Sequence, residues 1–308
     1  MPVMRDVFWN RIFERAKEDR NIVILAADFA APSLDKFRLE LPGQFINLGI
    51  AEQNMMLMAT GMALEGKTPI CYAISSFLSM RCFEQTRLYA AGMNLPITLV
   101  GVGAGIAYED SGYTHHAVED ITLMRSLPHM RIFQPCDNAT VRKMADMVID
   151  SPSPIYVRLD RYGKDNLIGD DSTVETGINI VRPVRKTTLL ASGNMMLTAL
   201  EAADKLETEG IQVGVVDSCV IPMDKERFSS VMSGVQNLMT LEEHVLPGGI
   251  GSHVLELVSD LKMNLSVRRF GFDFSDGFAK EYGGRKIVHA QYHMDADSVV
   301  NAVMDLEK

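Results

Sequence analysis

No stretch of the chain approaches the ~20 consecutive apolar residues that a membrane span requires, so no membrane partner is expected. Cysteine is scarce: Cys71, Cys82, Cys136 and Cys219 are the only four, far apart and without a CxxC pair. That spacing suits reduced thiols and argues against a disulfide framework or a zinc site. Positive charge is in deficit, 30 Lys+Arg against 40 Asp+Glu, for a net charge of −10. Without a basic stripe, nucleic acid is not expected as the main partner, whereas a small anion needs only two or three donors. No GxxxxGK[ST] loop occurs, and GVGAG (Gly101–Gly105) lacks both the GxGxxG spacing and a helix directly after it, which argues against a dinucleotide fingerprint. The N-terminus, MPVMRDVFWNRIFERAKEDR, is charged throughout and reads as no signal peptide. The expectation is a soluble cytoplasmic protein.

What is present is an ordinary globular balance: 308 residues, 47% apolar and 23% charged, enough for about two domains at roughly 150 residues each. Residues 3–19 read as a helix with Val7, Phe8, Ile12, Phe13 and Ala16 on its apolar face. Short apolar runs (22–27, FINLGI, TPICYAISSF, PITLVGVGAG, MRIFQP, PIYVRL) alternate with helical segments. Continuous apolar strands of this kind imply a parallel sheet covered on both faces. Met55–Leu64 is apolar nearly all round and predicts a helix buried on most sides. A polar stretch, 166–180, reads as a linker. From TTLLAS onward a second alternating unit begins. The expected architecture is therefore α/β: a parallel-sheet domain over 1–165 and a smaller α/β domain over 181–308.

Three segments carry chemistry-bearing residues. In NLGIAEQN, Glu52 opens the methionine-rich helix. It can complement the helix dipole, or, partly desolvated, act as a tuned catalytic carboxyl. In SGYTHHAVED, adjacent His115 and His116 cannot face the same way on a regular element. One imidazole at the carboxyl end of the sheet would lie where ligands bind in open α/β folds. In IYVRLDR, Arg158 and Arg161 either offer planar donor forks to a phosphate or carboxylate, or close exposed salt bridges with Asp160 or Asp165. A fourth segment, SSFLSMRCFEQTR, reads by itself as core packing.

Taken in order, NLGIAEQNM, SSFLSMRCFEQTR, SGYTHHAVED and IYVRLDR resemble the C-terminal half of transketolases, and most closely split transketolases whose halves are separate chains. VVDSCVIPMDKE, LEEHVLPGGIGSHV and FDFSDGFAKEYG extend the resemblance over nearly the whole length. It implies thiamine diphosphate with Mg²⁺ as cofactor and a pyrimidine-binding domain followed by a C-terminal domain. Glu52 would hydrogen-bond the aminopyrimidine ring nitrogen and promote loss of the thiazolium carbon proton. Phe77, with Ile74, Phe83 and Asp28 nearby, would form the cofactor pocket, Ile74 standing where a second aromatic is usual. His115 would contact the sugar's reacting end, and Arg161, Arg5 and Ser33 its phosphate. Ser111 stands where the family motif has an aspartate, and Gly103 where some members have a further histidine. Both departures bear on substrate identity.

The chain has no GDG motif. The resemblance therefore implies a complementing N-terminal subunit that carries GDG and holds the diphosphate and Mg²⁺, in an assembly of two copies of each chain. Alone, this chain would self-dimerise and be inactive. Competing expectations are the beta chain of a 2-oxo acid dehydrogenase, a deoxyxylulose-phosphate synthase-like activity, a non-catalytic scaffold that kept the fold, and a dinucleotide enzyme resting on GVGAG.

Overall fold

The computed structural model describes residues 2–28, 31–163, 167–168, 173–275, 277–278 and 283–306. Asp165 and parts of the expected linker and of FDFSDGFAKEYG lie outside the described residues. The apolar runs form strands β1 (Ile22–Ala26), β2 (Phe45–Asn47), β3 (Thr68–Ile74), β4 (Thr98–Val102), β5 (Arg131–Phe133) and β6 (Ile155–Leu159). The second half supplies β7 (Ile178–Arg182), β8 (Thr187–Ala191), β9 (Gly214–Ser218), β10 (Val220–Ile221), β11 (Asn237–Val245) and β12 (Ser266–Phe272).

Two sheets result, a seven-stranded one ordered β10-β5-β6-β4-β3-β1-β2 and a five-stranded one ordered β12-β11-β8-β9-β7. All pairings are parallel except β10 on β5 and β7 on β9. The fully buried pattern of β1, β4 and β6 is what a parallel sheet with both faces covered demands. On one face, the helix Met4–Glu18 buries Phe8, Trp9 and Ile12 in a core shared with Val141 and Met144 of the helix Asn138–Ile149. On the other, the core holding Met55, Met56 and Leu78 runs without interruption to Leu190, Val216 and Phe228 of the second half.

Three expectations are corrected. β7 (INIVR) begins inside the stretch read as a linker: Ile178, Ile180 and Val181 follow directly on a polar run, and the antiparallel ladder with β9 makes them a strand. β10, two residues long, leaves the second unit to close the edge of the first sheet. The helix Glu52–Leu64 is not buried on most sides: Leu57 is 46% and Leu64 58% exposed, with Gly61 open beside them. Apolar residues on every side of a helix therefore do not mean that this chain alone covers them.

Asp217, on β9, is wholly buried and accepts a hydrogen bond from Asn179 Nδ2 at 3.1 Å. Burial, reinforced by the charge of Asp137, pushes its carboxyl up to about 7, although the Asn179 bond pulls the other way. A folded value raised above the unfolded one means that the native state binds the proton more tightly, so stability falls as pH rises from about 4 to about 7. Asp217→Asn should flatten that limb and be the more stable protein above pH 7, by up to about 4 kcal/mol. Urea unfolding at several pH values measures this.

Candidate active site

The C-terminal ends of β1, β3, β4 and β6 converge, and the loops leaving them bring most of the sequence-selected residues together. Glu52 is the first residue of its helix, after Ala51 in a non-helical conformation. The chain turns here because Gly49 adopts a left-handed φ of +69°, held by its N–H donating to Asn47 Oδ1 at 3.0 Å. Asn47 also binds Asp28 at the end of β1, accepting from its N–H at 3.2 Å. Asp28 is exposed at that strand end.

Glu52 is only 4% exposed. Its Oε1 accepts from Arg81 Nη1 at 2.8 Å, whereas Oε2 has no partner among the described residues. The Arg81 guanidinium lies 3.8 Å from the centroid of the Phe77 ring. Phe77 in turn meets the His115 ring edge-on, with centroids 5.1 Å apart. Ile74 ends β3 just before the helix Ser75–Met80, half-buried. Phe83 lies beyond a break in the helical run at 81–82 and packs against the main core, where the sequence pattern suggests one helix over 79–92.

His115 is the half-buried histidine and His116 the buried one. Thr114 Oγ1 donates to Ser111 O at 3.1 Å and lies 2.9 Å from His115 Nδ1. With its proton committed to the carbonyl, the hydroxyl accepts from Nδ1–H, which leaves His115 Nε2 as the outward nitrogen. Ser111 itself is exposed. A cleft of about 220 Å³ is lined by Phe77, Met80, Arg81, His116 and Glu119, among others. His116 Nε2 is buried there without a hydrogen-bond partner among the described residues, and burial lowers this imidazole's proton affinity. Burial, with Asp120 next to it, raises that of the Glu119 carboxyl.

Arg5 and Ser33 meet at one carboxylate: Asp6 Oδ1 lies 3.2 Å from Arg5 Nε and accepts from Ser33 Oγ at 2.9 Å. Arg161 is exposed, with its guanidinium 4.7 Å from the Tyr108 ring centroid. Burial raises the Tyr108 hydroxyl's pKa, and the charges of Arg161 and Arg5 both oppose that rise. Arg158 is the exception. It is 5% exposed, bound to Asp120 Oδ2 at 2.8 Å and to the carbonyls of Ala117 and Glu243. It is neither a ligand donor nor an exposed salt bridge, because Asp120, remote in sequence, neutralises it in the interior.

At Gly103, φ is +92° and an added Cβ would lie 2.1 Å from Tyr108 Cε2. The Tyr108 ring thus fills the space that a side chain at 103 would need. Gly103→His alone should cost about 2–3 kcal/mol in thermal or urea unfolding from backbone strain and overpacking. Pairing it with Tyr108→Ala should recover the overpacking part.

Sequence reading missed Arg81, His116 and Glu119 as cleft residues. The one available signal, a cationic residue four positions after Phe77 in a run taken for core, carries no meaning until Glu52 is folded against it.

The described residues fit the aminopyrimidine end of thiamine diphosphate: a buried carboxylate with one oxygen free, an aromatic face, and a cleft beside them.

Comparison with known proteins agrees. Residues 1–163 match the family model "Transketolase, pyrimidine binding domain" and residues 177–299 "Transketolase, C-terminal domain". The chain is 30% identical over 306 residues to one of the subunits of the apulose-4-phosphate transketolase of Actinobacillus succinogenes, covering 98% of each. It is 34% identical to the 1-deoxy-D-xylulose-5-phosphate synthase of Pelotomaculum thermopropionicum, with 99% of this chain spanning 48% of that enzyme. Among solved structures, a split-gene transketolase in the form of an inactive beta4 tetramer superposes with a TM-score of 0.88 at 31% identity, covering 99% of this chain and 98% of that one.

Proposed function

Because the chain belongs to the transketolase family, we propose that it is the pyrimidine-binding and C-terminal subunit of a two-chain, thiamine-diphosphate-dependent transketolase that moves a two-carbon ketol unit between sugar phosphates. The observation that carries this is Glu52: a carboxylate buried at a helix start, with Oε2 unpartnered among the described residues and Oε1 joined through Arg81 to the Phe77 ring. When bound, thiamine diphosphate supplies the carbanion-stabilising centre of the reaction. Glu52 holds and exchanges a proton at the aminopyrimidine ring nitrogen, in a site dry enough for that contact to be strong. Phe77 offers a ring face, with Ile74 and Asp28 at neighbouring strand ends. His115, its Nδ1 fixed by Thr114, presents Nε2 to the reacting end of the sugar. Arg161, over the Tyr108 ring, and Arg5 attract the phosphate, together with exposed Ser111 and with Ser33, which is buried and donates to Asp6.

The diphosphate and Mg²⁺ belong to a complementing N-terminal subunit carrying GDG, in an assembly of two copies of each chain. The apolar stripe Leu57, Gly61, Leu64 on the Glu52 helix, with Leu88 at 45% and Met93 at 49% exposure, supports a partner at this face. Alone, the chain would self-associate through it and be inactive; the split-gene transketolase that it resembles forms an inactive beta4 tetramer. We place the first domain at 1–165 and the second from β7, at 178, to 308, and the enzyme in the cytoplasm, a setting in keeping with four buried free cysteines.

Mixing is the test. This chain, a complementing GDG-bearing chain, thiamine diphosphate and Mg²⁺ should together transfer ketol units from a ketose phosphate to an aldose phosphate, and each chain alone should not. Decarboxylation of a branched 2-oxo acid in place of transfer would assign the chain to the 2-oxo acid dehydrogenases.

A further inference from the structure

We propose that Arg81 is a positioning residue for Glu52, a proposal that rests on the function given above. Its guanidinium makes two contacts at once: Nη1 donates to Glu52 Oε1 at 2.8 Å, and the cation lies 3.8 Å from the Phe77 centroid. The two groups it ties together are the carboxylate and the aromatic face that the aminopyrimidine would use. Only a planar, multi-donor cation can stack and donate in this way, which lysine cannot reproduce.

The ion pair is an odd one to keep for stability. The Arg81 side chain is 42% exposed and that of Glu52 5%, so water screens the attraction on one side while the carboxylate bears the cost of burial on the other. Its effect is on direction. Glu52 enters an otherwise apolar helix, and Ala51 before it provides no side-chain cap. Arg81 is the one side chain hydrogen-bonded to this carboxylate among the described residues. By engaging Oε1 alone, it fixes the plane of the carboxylate and leaves Oε2 as the oxygen offered to the cofactor. Arg81 is itself placed by the helix Ser75–Met80, its N–H donating to Phe77 O at 2.9 Å.

The assembled two-chain complex tests this by titration with thiamine diphosphate in excess Mg²⁺, and by the exchange rate of the thiazolium C2 proton followed by NMR. Arg81→Met should weaken binding or slow exchange roughly tenfold, the scale of one charge-assisted hydrogen bond. Arg81→Lys should recover only part of the loss. The double variant with Glu52→Gln should be no worse than Glu52→Gln alone, because Arg81 acts through that carboxylate. Stability that the free chain loses in Arg81→Met, where a buried carboxylate is left without its cation, should return in the double variant with Glu52→Gln, which removes that charge. Wild-type binding and exchange in Arg81→Met would overturn the proposal, as would losses that multiply independently in the double variant. If Glu52→Gln itself binds and exchanges as wild type does, the function proposed above fails, whatever Arg81 does.

Discussion

Glu52→Gln takes ketol transfer in the assembled enzyme down by roughly 10²–10⁴-fold, the range for loss of a positioned proton-transfer group, and leaves the subunit folded and assembled. The substitution is nearly isosteric. The amide oxygen can still accept from Arg81 where Oε1 now does, at 2.8 Å, so the helix start and the Phe77 contact persist. What disappears is a group that can carry a proton to the aminopyrimidine nitrogen and take it back. Because this carboxyl is 4% exposed, bulk water is a poor substitute, and exogenous carboxylates should rescue weakly or not at all. The measurement is kcat by a coupled sugar-phosphate assay, alongside the unfolding midpoint and the hydrodynamic size of the complex. Full activity in Glu52→Gln would remove the basis of the proposed function.

How much of this was legible in the sequence depends on whether a feature is written locally. The strands of the first sheet were readable because each is a short apolar run bounded by breakers, and burial on both faces leaves that mark. β7, and β10 within that same first sheet, were not, because one directly follows a polar run and the other is two residues long. Each exists through its partner, β9 or β5. The site divides the same way. Glu52, Phe77 and His115 lie in segments whose resemblance to a known family is itself local. Arg81 becomes meaningful only when a residue 29 positions away folds against it. Arg158 was misread for the same reason: an arginine is buried only where a carboxylate neutralises it, and Asp120 is 38 positions upstream. The exposed stripe on the Glu52 helix was hidden for the opposite reason. A surface that a second subunit covers has the composition of a core.

The second large effect is at Glu243, which joins the two halves behind the site. Its carboxylate lies 2.8 Å from Arg285 Nε and 2.7 Å from His289 Nε2, and accepts from Ile106 N at 3.3 Å. Arg285 also pairs with Asp160 at 2.8 Å and donates to Ala104 O at 3.2 Å. Glu243 is 3% exposed and Arg285 9%. Glu243→Ala should therefore destabilise the chain by about 3–5 kcal/mol, because it leaves a buried cation with one partner fewer. Activity should fall as well. Ile106 and Ala104 begin the loop that carries Tyr108 and His115, and Asp160 adjoins Arg161, so loosening this hub frees both arms of the substrate site. The pH dependence separates charge from packing. Burial alone would push the Glu243 carboxyl up, but Arg285 and His289 more than reverse it and hold it well below the ordinary carboxylate range. A depressed folded value adds stability that is fully present above the unfolded value of about 4.3 and is lost as pH falls below it. The wild type should therefore show an acid limb that Glu243→Gln lacks. The gap between them in urea titrations should be widest near neutrality and shrink below about pH 4. A gap independent of pH would assign the whole effect of Glu243 to packing.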